Sequence, residues 1–301
     1  MITYFERDNL DIEKYNYCIE NAIQYNIFGY SWYLDIVCEQ WGAYVLNDYE
    51  AVMPVPWRKK MFIKYVYPPL WIIQLGIYSK QIEDENEFLI EVFDDFRFVE
   101  LRMNVKNSFS MLNKFQKEKQ LQVISLKKDY ETIKGGYNRN RKRELKKSLE
   151  ADLTEHWGDN PSRFIKLFKH NVGKKVHKIK ESDYQNLHTL MQVCIEKKVG
   201  ELLTIYDKKG NLVSGAFFLK QRNRITELVC SSDFKNRKNG ANTFMNDRAV
   251  YRYEKNYDVF DFGGSSMRNI AKYYKSFGAK DENYVQLAYN NLPKLLKLIK
   301  R

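Results

Sequence analysis

One acidic residue in an apolar segment is the first candidate for chemistry. Asp261 lies within the apolar run 259–262 and is followed by Gly263 and Gly264. A carboxylate without a partner is costly there, so Asp261 should face a cleft or a partner. It could accept a proton from an attacking amine, or it could hold Lys275 or a backbone turn in place, which is slightly favoured. A tight turn is the simplest explanation of the two glycines.

A short turn before a predicted helix has the composition of an anion-binding site. Residues 237–242 read Arg-Lys-Asn-Gly-Ala-Asn. Backbone N–H groups at a helix N-terminus can point at a pyrophosphate where no side chain obstructs them. The candidate cofactor-binding residues are therefore Arg237, Asn239, Gly240, Ala241 and Asn242.

A basic segment precedes the second half of the chain. Residues 134–147 hold seven basic side chains against one acid, Glu144. Arg139 and Arg143 are candidate substrate-binding residues, because guanidinium groups bind phosphate oxygens well. A solvated helix face explains the composition equally well. We place a domain junction near this segment, which divides the chain into residues 1–130 and 131–301.

Aromatic residues and prolines recur in the first part of the chain. Aromatic faces pack against sugars or acyl chains, so these residues could line an acceptor groove. Ordinary core packing is the favoured explanation. The residues are Tyr30, Trp32, Trp57, Tyr67, Pro68, Pro69 and Trp71, of which Tyr30, Trp32 and Pro69 are our candidate substrate-binding residues.

The motifs of several other protein classes are missing. His156, His170, His177 and His188 show no metal-ligand spacing, so no metal is predicted. The sequence has no GxxxxGK[ST], GxGxxG or GxSxG, which argues against P-loop, dinucleotide-binding and serine-hydrolase proteins. The four cysteines form no CxxC pair, and this is typical of reduced thiols in the cytoplasm.

Composition indicates a folded protein with anionic partners. The chain has 301 residues, of which 44% are hydrophobic and 15% aromatic. Its formal net charge of +12 favours phosphates, nucleotides, nucleic acid or an acidic membrane surface as partners. The Lys-rich and Tyr-rich composition of proteins from AT-rich bacterial genomes would explain the charge equally well. The sequence shows no signal peptide or membrane span, so we expect a cytoplasmic protein that could touch a membrane peripherally.

The first half of the chain predicts short strands and helices in alternation. A helix begins at Ser31, and a hairpin turn at Asn47 and Asp48 joins the apolar segments 44–46 and 51–56. Pro68 and Pro69 indicate an edge, a turn or a loop rather than a central strand. Apolar residues at helical spacing in 83–95 predict a helix, and the strand 98–105 follows.

The second half predicts an α+β arrangement. Asn160 and Pro161 open a helix, and another runs from Ser182 or Asp183 to a stop at Gly200. A three-stranded meander follows at 202–206, 212–220 and 225–231. A helix from Asn242, a strand at 257–262, a helix at 269–276 and a strand at 284–289 complete the order β-β-β-α-β-α-β, which is not a Rossmann-type βαβ repeat.

These patterns resemble a known superfamily. The element order around residues 237–242 resembles the acyl-CoA-binding core of GNAT acyltransferases, whose pattern Q/R-x-x-G-x-G/A is matched by Arg237 and Gly240, while Asn242 stands where Gly or Ala is expected. DFGG at 261–264 and YKSFGA at 274–279 look like the signature of Fem-type aminoacyl transferases and their acetyltransferase relatives. The basic segment 137–145 and residues 31–34 resemble the same group.

The resemblance implies two tandem GNAT-like domains with mixed, mostly antiparallel sheets flanked by helices. Residues 1–130 would shape an acceptor cleft, and residues 131–301 would carry the basic helix and the donor-binding core. The lysine of the family signature falls on Lys275, which would lie at the reacting centre. A fixed cation there would stabilise the oxygen that becomes negative when an amine attacks an ester or thioester. A solvated lysine is the alternative.

The resemblance also implies a reaction class and leaves the donor open. The leading hypothesis is transfer of an acyl group from acyl-CoA to an amine or hydroxyl of a small or cell-envelope acceptor, by direct attack and without a metal. The first alternative is aminoacyl transfer from tRNA to a peptidoglycan precursor, although the coiled-coil arm common in such enzymes has no heptads here. The second is a non-catalytic protein that binds anions or nucleic acid.

Overall fold

A computed structural model describes residues 1–60, 62–81, 84–176, 179–235, 237–264 and 267–293, and it divides into two compact units. Unit 1 consists of Met1–Lys119 together with the segment that begins at Asn283, and unit 2 is Gln120–Glu282. The acceptor and donor roles that we expect for the two parts of the chain stay predictions. No helix within the described ranges is long and apolar enough to cross a membrane.

Helices and short strands alternate along the chain. Those that begin before residue 126 are β1 (Ile2–Glu6), α1 (Ile12–Asn21), α2 (Ser31–Val37), β2 (Gln40–Leu46), β3 (Ala51–Lys60), β4 (Ile63–Val66), β5 (Tyr78–Ser79), α3 (Glu85–Asp95), β6 (Phe98–Arg102) and β7 (Gln116–Ser125). The later ones are α4 (Tyr130–Gly135), α5 (Arg139–Glu150), β8 (Thr154–Trp157), α6 (Pro161–His170), α7 (Glu181–Glu196), β9 (Gly200–Tyr206), β10 (Leu212–Lys220), β11 (Arg224–Ser232), α8 (Ala241–Tyr253), β12 (Val259–Asp261), α9 (Arg268–Lys275) and β13 (Lys280–Asn290).

The sheet of unit 1 has the strand order β1-β2-β3-β4-β6-β13, with β5 paired to β3. Its pairs are antiparallel except for β4 and β6. The predicted hairpin is present, since Leu46 pairs with Ala51 and both Asn47 and Tyr49 adopt positive φ in the turn. Pro68 and Pro69 follow β4 and lie outside the strands, as their missing N–H groups require.

The sheet of unit 2 has the order β7-β12-β11-β10-β9-β8, and only β11 and β12 run parallel. The predicted order β-β-β-α-β-α-β is confirmed by β9 through β13 with α8 and α9 between them. Helix α8 covers one face of this sheet, where Met245 and Ala249 join Phe218, Phe260 and Phe262 in the core. The predicted α+β class is therefore confirmed.

The predicted stop of the second helix at Gly200 is wrong. Helix α7 ends at Glu196, and the chain turns at Lys198, which has a φ of 60°. Gly200 instead begins β9, and a Cβ at this position would stand 2.6 Å from the Cβ of Cys194. The glycine is therefore required by close packing of the strand against the helix and not by the helix end.

Candidate functional site

Two parallel strands of unit 2 separate near the middle of the sheet. Strand β12 pairs with β11 only where Arg224 lies opposite Val259, Ile225 opposite Phe260 and Thr226 opposite Asp261. Beyond this point β11 continues to Ser232, while the chain after β12 turns away at two glycines of positive φ. Strands that part in this way open a crevice in which a sheet can bind a ligand.

Both turning glycines have a positive φ, and the second fits closely against β7. Gly263 and Gly264 have φ values of 69° and 65°. A Cβ on Gly264 would stand 3.0 Å from the Cα of Leu121, which is closer than side chains normally come to a backbone. A tight turn with close backbone approach therefore explains this glycine pair, as the sequence suggested.

A β-bulge in β11 lies beside the point of separation. Phe217 pairs with Val229 and Phe218 pairs with Glu227, so Leu228 is the extra residue. A bulge shifts the alternation of side chains by one position. Glu227 and Cys230 therefore lie on the same face of the sheet, the face that carries Phe218 and α8.

Glu227 is the carboxylate that lies at the separation. It is 3% exposed, and its Oε1 accepts a hydrogen bond from the Tyr274 hydroxyl at 3.3 Å. Its Oε2 has no hydrogen-bond partner in the part of the chain that the structure describes. Burial raises the pKa of Glu227 from 4.5 to about 7, so the group changes charge near neutral pH, where a general base is most useful.

The residues around Glu227 restrict what the site can do. The Tyr274 ring stacks on Phe262 with centroids 4.4 Å apart, which fixes its hydroxyl on the carboxylate. Burial and the neighbouring Glu227 both raise the pKa of the Cys230 thiol well above its ordinary value. A protonated thiol is a poor nucleophile, so this arrangement favours direct attack by a substrate over a covalent enzyme intermediate.

Arg141, on α5, contacts residues of α8 and α9 on the side of the sheet that carries Glu227. Its Nη1 donates to Thr243 Oγ1 at 2.6 Å and lies 3.0 Å from Glu144 Oε2. Its guanidinium lies 4.6 Å from the ring centre of Tyr273, the neighbour of Tyr274. Arg141 Nε and Asn246 Oδ1 are buried without hydrogen-bond partners among the described residues. Such atoms are costly, and a substrate could satisfy them.

Lys275 lies at the end of α9, close to Tyr274 in sequence. Its Nζ is 2.5 Å from Asp281 Oδ2, and its side chain is 46% exposed. This hydrogen bond holds the pKa of Asp281 below its ordinary value. The described ion-pair partner of Lys275 is thus Asp281 rather than Asp261, and its role at the reacting centre stays a prediction.

Asp261 lies on the opposite face of the sheet from Glu227. Phe260 and Phe262 belong to the core under α8, so the side chain between them points the other way. There Asp261 binds Arg224 Nη1 at 2.8 Å and accepts the Gly263 N–H at 2.9 Å. Arg224 also binds Glu282 at 2.7 Å. These contacts fit the structural role better than proton transfer.

The predicted pyrophosphate turn packs against the basic helix. Gly240 caps α8 with a φ of 78°, and a Cβ on it would stand 2.4 Å from the carbonyl oxygen of Glu144. The Ala241 N–H already donates to Asn239 Oδ1 at 2.9 Å, and the Asn242 carbonyl accepts from Asn246. The Arg237 side chain lies outside the described part. Helix α5 thus covers the Gly240 side of the turn.

The other predicted substrate-binding residues divide between surface and interior. Arg139 and Arg143 are exposed on α5, and Arg143 donates to Asn140 at 2.8 Å. In unit 1, Tyr30 and Trp32 are half-buried, with their rings stacked 6.2 Å apart. Pro69 is buried, so we leave it out of the proposed acceptor surface.

Trp71 has a strained backbone in the same unit. Its φ is 68°, which is rare for a bulky residue, and its carbonyl accepts the Tyr33 hydroxyl at 2.6 Å.

No cluster of three potential metal ligands occurs in the described ranges, and His177 lies outside them.

The sequence did not single out Glu227, and it offered Arg141 only as one of several basic residues that could meet phosphates, not as a buried residue. Glu227 stands in the apolar run 225–229, and the cost of a buried carboxylate could have singled it out as it did Asp261. Arg141 is one of several basic residues in its segment, and only the pattern of buried Arg141, Leu145 and Ser148 along α5 distinguishes it. The spacing of three or four residues was the available signal.

Comparisons with known proteins give a fold. No protein-family model matches the sequence, and no curated protein matches it significantly. The crystal structure of FemX is similar with a TM-score of 0.67 at 11% identity, over 99% of this chain and 100% of FemX. L-PGS from Bacillus licheniformis gives 0.58 at 13% identity, over 96% of this chain and 95% of that one.

A tandem GNAT protein from the clavulanic acid biosynthesis pathway is also similar. Its TM-score is 0.55 at 8% identity, over 98% of this chain and 100% of that chain. The predicted fold of two tandem GNAT-like domains is therefore confirmed, and it is similar to the fold of FemX. At such low identities the likeness concerns the fold, and function has to be argued from the site.

Proposed function

We propose that this protein is an acyltransferase that moves an acyl group from an activated carrier to an amine or hydroxyl of a small or cell-envelope acceptor. The observation that carries the proposal is Glu227, a buried carboxylate with a pKa of about 7 at the point where β11 and β12 separate. Perturbed carboxylates in clefts are often functional groups. The similarity in fold to FemX and a tandem GNAT protein supports the same reaction class.

The chemistry needs one proton acceptor. The acceptor nitrogen or oxygen attacks the acyl carbonyl carbon, and Glu227 Oε2 takes its proton. The C–O or C–S bond to the carrier then breaks, and the same proton passes to the leaving oxygen or sulfur, which restores the carboxylate. No covalent enzyme intermediate is required, in keeping with the protonated Cys230. Lys275 would stabilise the negative oxygen if it leaves Asp281 when substrate binds.

The donor that the geometry supports best is an aminoacyl-tRNA. A CoA pyrophosphate would have to approach the turn 237–242, whose Gly240 side is covered by α5 and whose Ala241 N–H is already bonded. An aminoacyl ester does not need this contact, and its RNA fits a protein with a net charge of +12. The resemblance to Fem-type aminoacyl transferases has the same implication. Acyl-CoA remains the second candidate.

The acceptor is the least constrained part of the proposal. The stacked and half-buried Tyr30 and Trp32 of unit 1 support an acceptor with a sugar or acyl portion. A cell-envelope precursor would provide either. We infer a cytoplasmic reaction on such a precursor, with peripheral contact to the membrane where the acceptor is a lipid.

The test compares two donors in one transfer assay. Total tRNA charged with amino acids, and acetyl-CoA, are each incubated with the protein and a pool of nucleotide-linked cell-wall precursors and amino sugars. Mass spectrometry of the acceptors measures the transfer. We expect products with charged tRNA, and a loss of at least about 100-fold in Glu227→Gln, which is a typical contribution of a general base. Glu196→Gln, an exposed change at the end of α7, is the control.

Other outcomes identify the remaining candidates. Saturable one-to-one binding of acetyl-CoA in calorimetry, lost in Arg237→Glu, would replace the tRNA donor by acyl-CoA. RNA binding without transfer to any acceptor would favour the non-catalytic alternative. Equal transfer by wild type and Glu227→Gln would contradict the role of Glu227.

A further inference from the structure

A groove in unit 2 lies between α4, α5 and α8, apart from Glu227 and Arg141. It encloses about 350 Å³. Four cationic side chains line it: Lys134, Lys142, Lys146 and Arg248. Among the described residues, the one acid that lines it is Asp247, which is 4% exposed and accepts the Tyr130 hydroxyl at 3.0 Å. Cationic side chains therefore outnumber acidic ones in the lining of the groove.

Two of the four cations keep their charge uncompensated. Arg248 pairs with Glu155 at 2.5 Å, and Lys134 lies 3.8 Å from Glu131. In contrast, Lys142 donates to a neutral carbonyl, that of Gly135, at 2.7 Å. Lys146 has no ion-pair partner in the part of the chain that the structure covers. Lys142 and Lys146 lie one helical turn apart on α5, so two anionic groups in succession would satisfy them.

The floor of the groove is apolar. Leu145 and Phe244 pack on the core of unit 2, and Leu149 is 72% exposed beside them. The Tyr130 ring also lines the groove, with Lys134 Nζ 5.1 Å from its centre. Lysines thus alternate with leucines along α5, and α4 and α8 add the aromatic rings of Tyr130 and Phe244, which is more specific than a solvated basic face.

We propose that this groove binds single-stranded RNA, and that it holds the unpaired end of the RNA donor. This inference rests on the proposed function. A single strand offers phosphates and exposed base faces together, which match the lysines and the apolar floor. A duplex offers its phosphates on a convex surface and keeps its bases stacked inside. A membrane is flat, and a concave groove would bury little of its own apolar floor there.

Binding is tested with the full-length protein and a fluorescein-labelled single-stranded RNA of mixed sequence in an anisotropy titration. In Lys142→Ala/Lys146→Ala we expect roughly tenfold weaker binding at 0.15 M salt, with the slope of log K against log salt reduced by about 1.4, because two phosphate contacts are lost. The control Lys166→Ala/Lys174→Ala removes the same charge elsewhere on exposed positions of unit 2 and should change neither quantity.

A third variant separates the apolar contact from the charges. Leu149→Ser should weaken binding severalfold and leave the salt slope unchanged, since no phosphate contact is removed. Equal losses of RNA affinity in Lys142→Ala/Lys146→Ala and in the control Lys166→Ala/Lys174→Ala would overturn the proposal. Tighter binding to duplex RNA, or to phosphatidylglycerol vesicles, than to the single strand would overturn it as well.

The outcomes for groove and reaction are independent. Glu227→Gln should bind the single strand as the wild type does, because Glu227 does not line the groove. If transfer from charged tRNA occurs and the groove variants bind normally, the groove proposal fails alone. If the groove variants lose the strand and no acyl transfer is found, the proposed reaction fails alone.

Discussion

Glu227 links the chemistry of the site to protein stability. Its pKa is about 7 in the folded chain against 4.5 for an ordinary glutamate, so the folded state binds its proton more tightly than the unfolded state. The contribution of Glu227 to the free energy of unfolding should therefore be most favourable below pH 4.5 and should fall as pH rises to about 7.

Glu227→Gln removes this dependence, because an amide stays neutral. We expect the variant to match the wild type near pH 4.5 and to be more stable by up to about 3 kcal/mol at pH 8, the energy of a 2.5-unit shift. Urea unfolding at both pH values measures the difference. A variant less stable than the wild type at pH 8 would show that the carboxylate is held by a partner and is not a strained base.

The role of Lys275 in the reaction can be separated from its effect on stability, because its ion pair is half exposed. Such pairs contribute about 0.5 kcal/mol or less, so Lys275→Met should unfold at nearly the same urea concentration as the wild type. Transfer activity should fall by about 100-fold or more if Lys275 stabilises the developing oxyanion. Lys272→Met, on the exposed side of the same helix, is the control. Unchanged transfer would leave Lys275 as a surface residue.

At the scale of elements, substitution of Gly240 tests how closely α5 packs against the start of α8. Gly240→Ala combines a positive φ with a Cβ 2.4 Å from the Glu144 carbonyl oxygen. Gly210→Ala has nearly the same φ, 75°, and nothing within 4 Å of the new Cβ. An Ala in the left-handed region alone costs about 1 to 2 kcal/mol. The loss of unfolding free energy in Gly240→Ala should therefore exceed that in Gly210→Ala by at least about 1 kcal/mol. Equal losses of stability in thermal unfolding of the two variants would mean that α5 shifts at little cost to accommodate the new Cβ.

The sequence predicted the helices, strands and turns better than it predicted the functional residues. The hairpin turn at Asn47, the cap at Asn160 and the meander of β9, β10 and β11 depend on local patterns, and all three are present. The bulge at Leu228 has no local signature, yet it decides that Glu227 and Cys230 share a face. Likewise, the spacing of Arg141, Leu145 and Ser148 indicates a buried face of α5, but it does not show which tertiary partners Arg141 meets.

The site candidates show why residue type alone was insufficient. Asp261 and Glu227 are both acids in apolar strands, and each is buried. What distinguishes them is the partner: Arg224 reaches Asp261 from β11, whereas the described polar neighbours of Glu227 are the uncharged Tyr274 hydroxyl and Cys230 thiol. Both contacts depend on tertiary structure, so composition and periodicity could suggest a buried acid but could not show which one lacks a cation.

At the scale of the whole molecule, unit 1 is built from two distant parts of the chain. Strand β13 pairs with β6 from Phe98 to Arg102, and Leu287 is completely buried there. Tyr289 stacks on Phe93 with ring centres 4.4 Å apart. The division that we expected from the sequence, at residue 130, rested on the basic segment and gave no indication of this return.

The return of β13 has a consequence for synthesis on the ribosome. Domains usually fold in the order in which they emerge, the N-terminal one first. In this chain the residues of unit 2 leave the ribosome before Leu287 and Tyr289 exist, so β6 waits with an unpaired edge while the later unit completes. Unit 1 therefore begins to emerge first and completes its sheet last, and the edge of β6 stays unpaired until β13 has been synthesised.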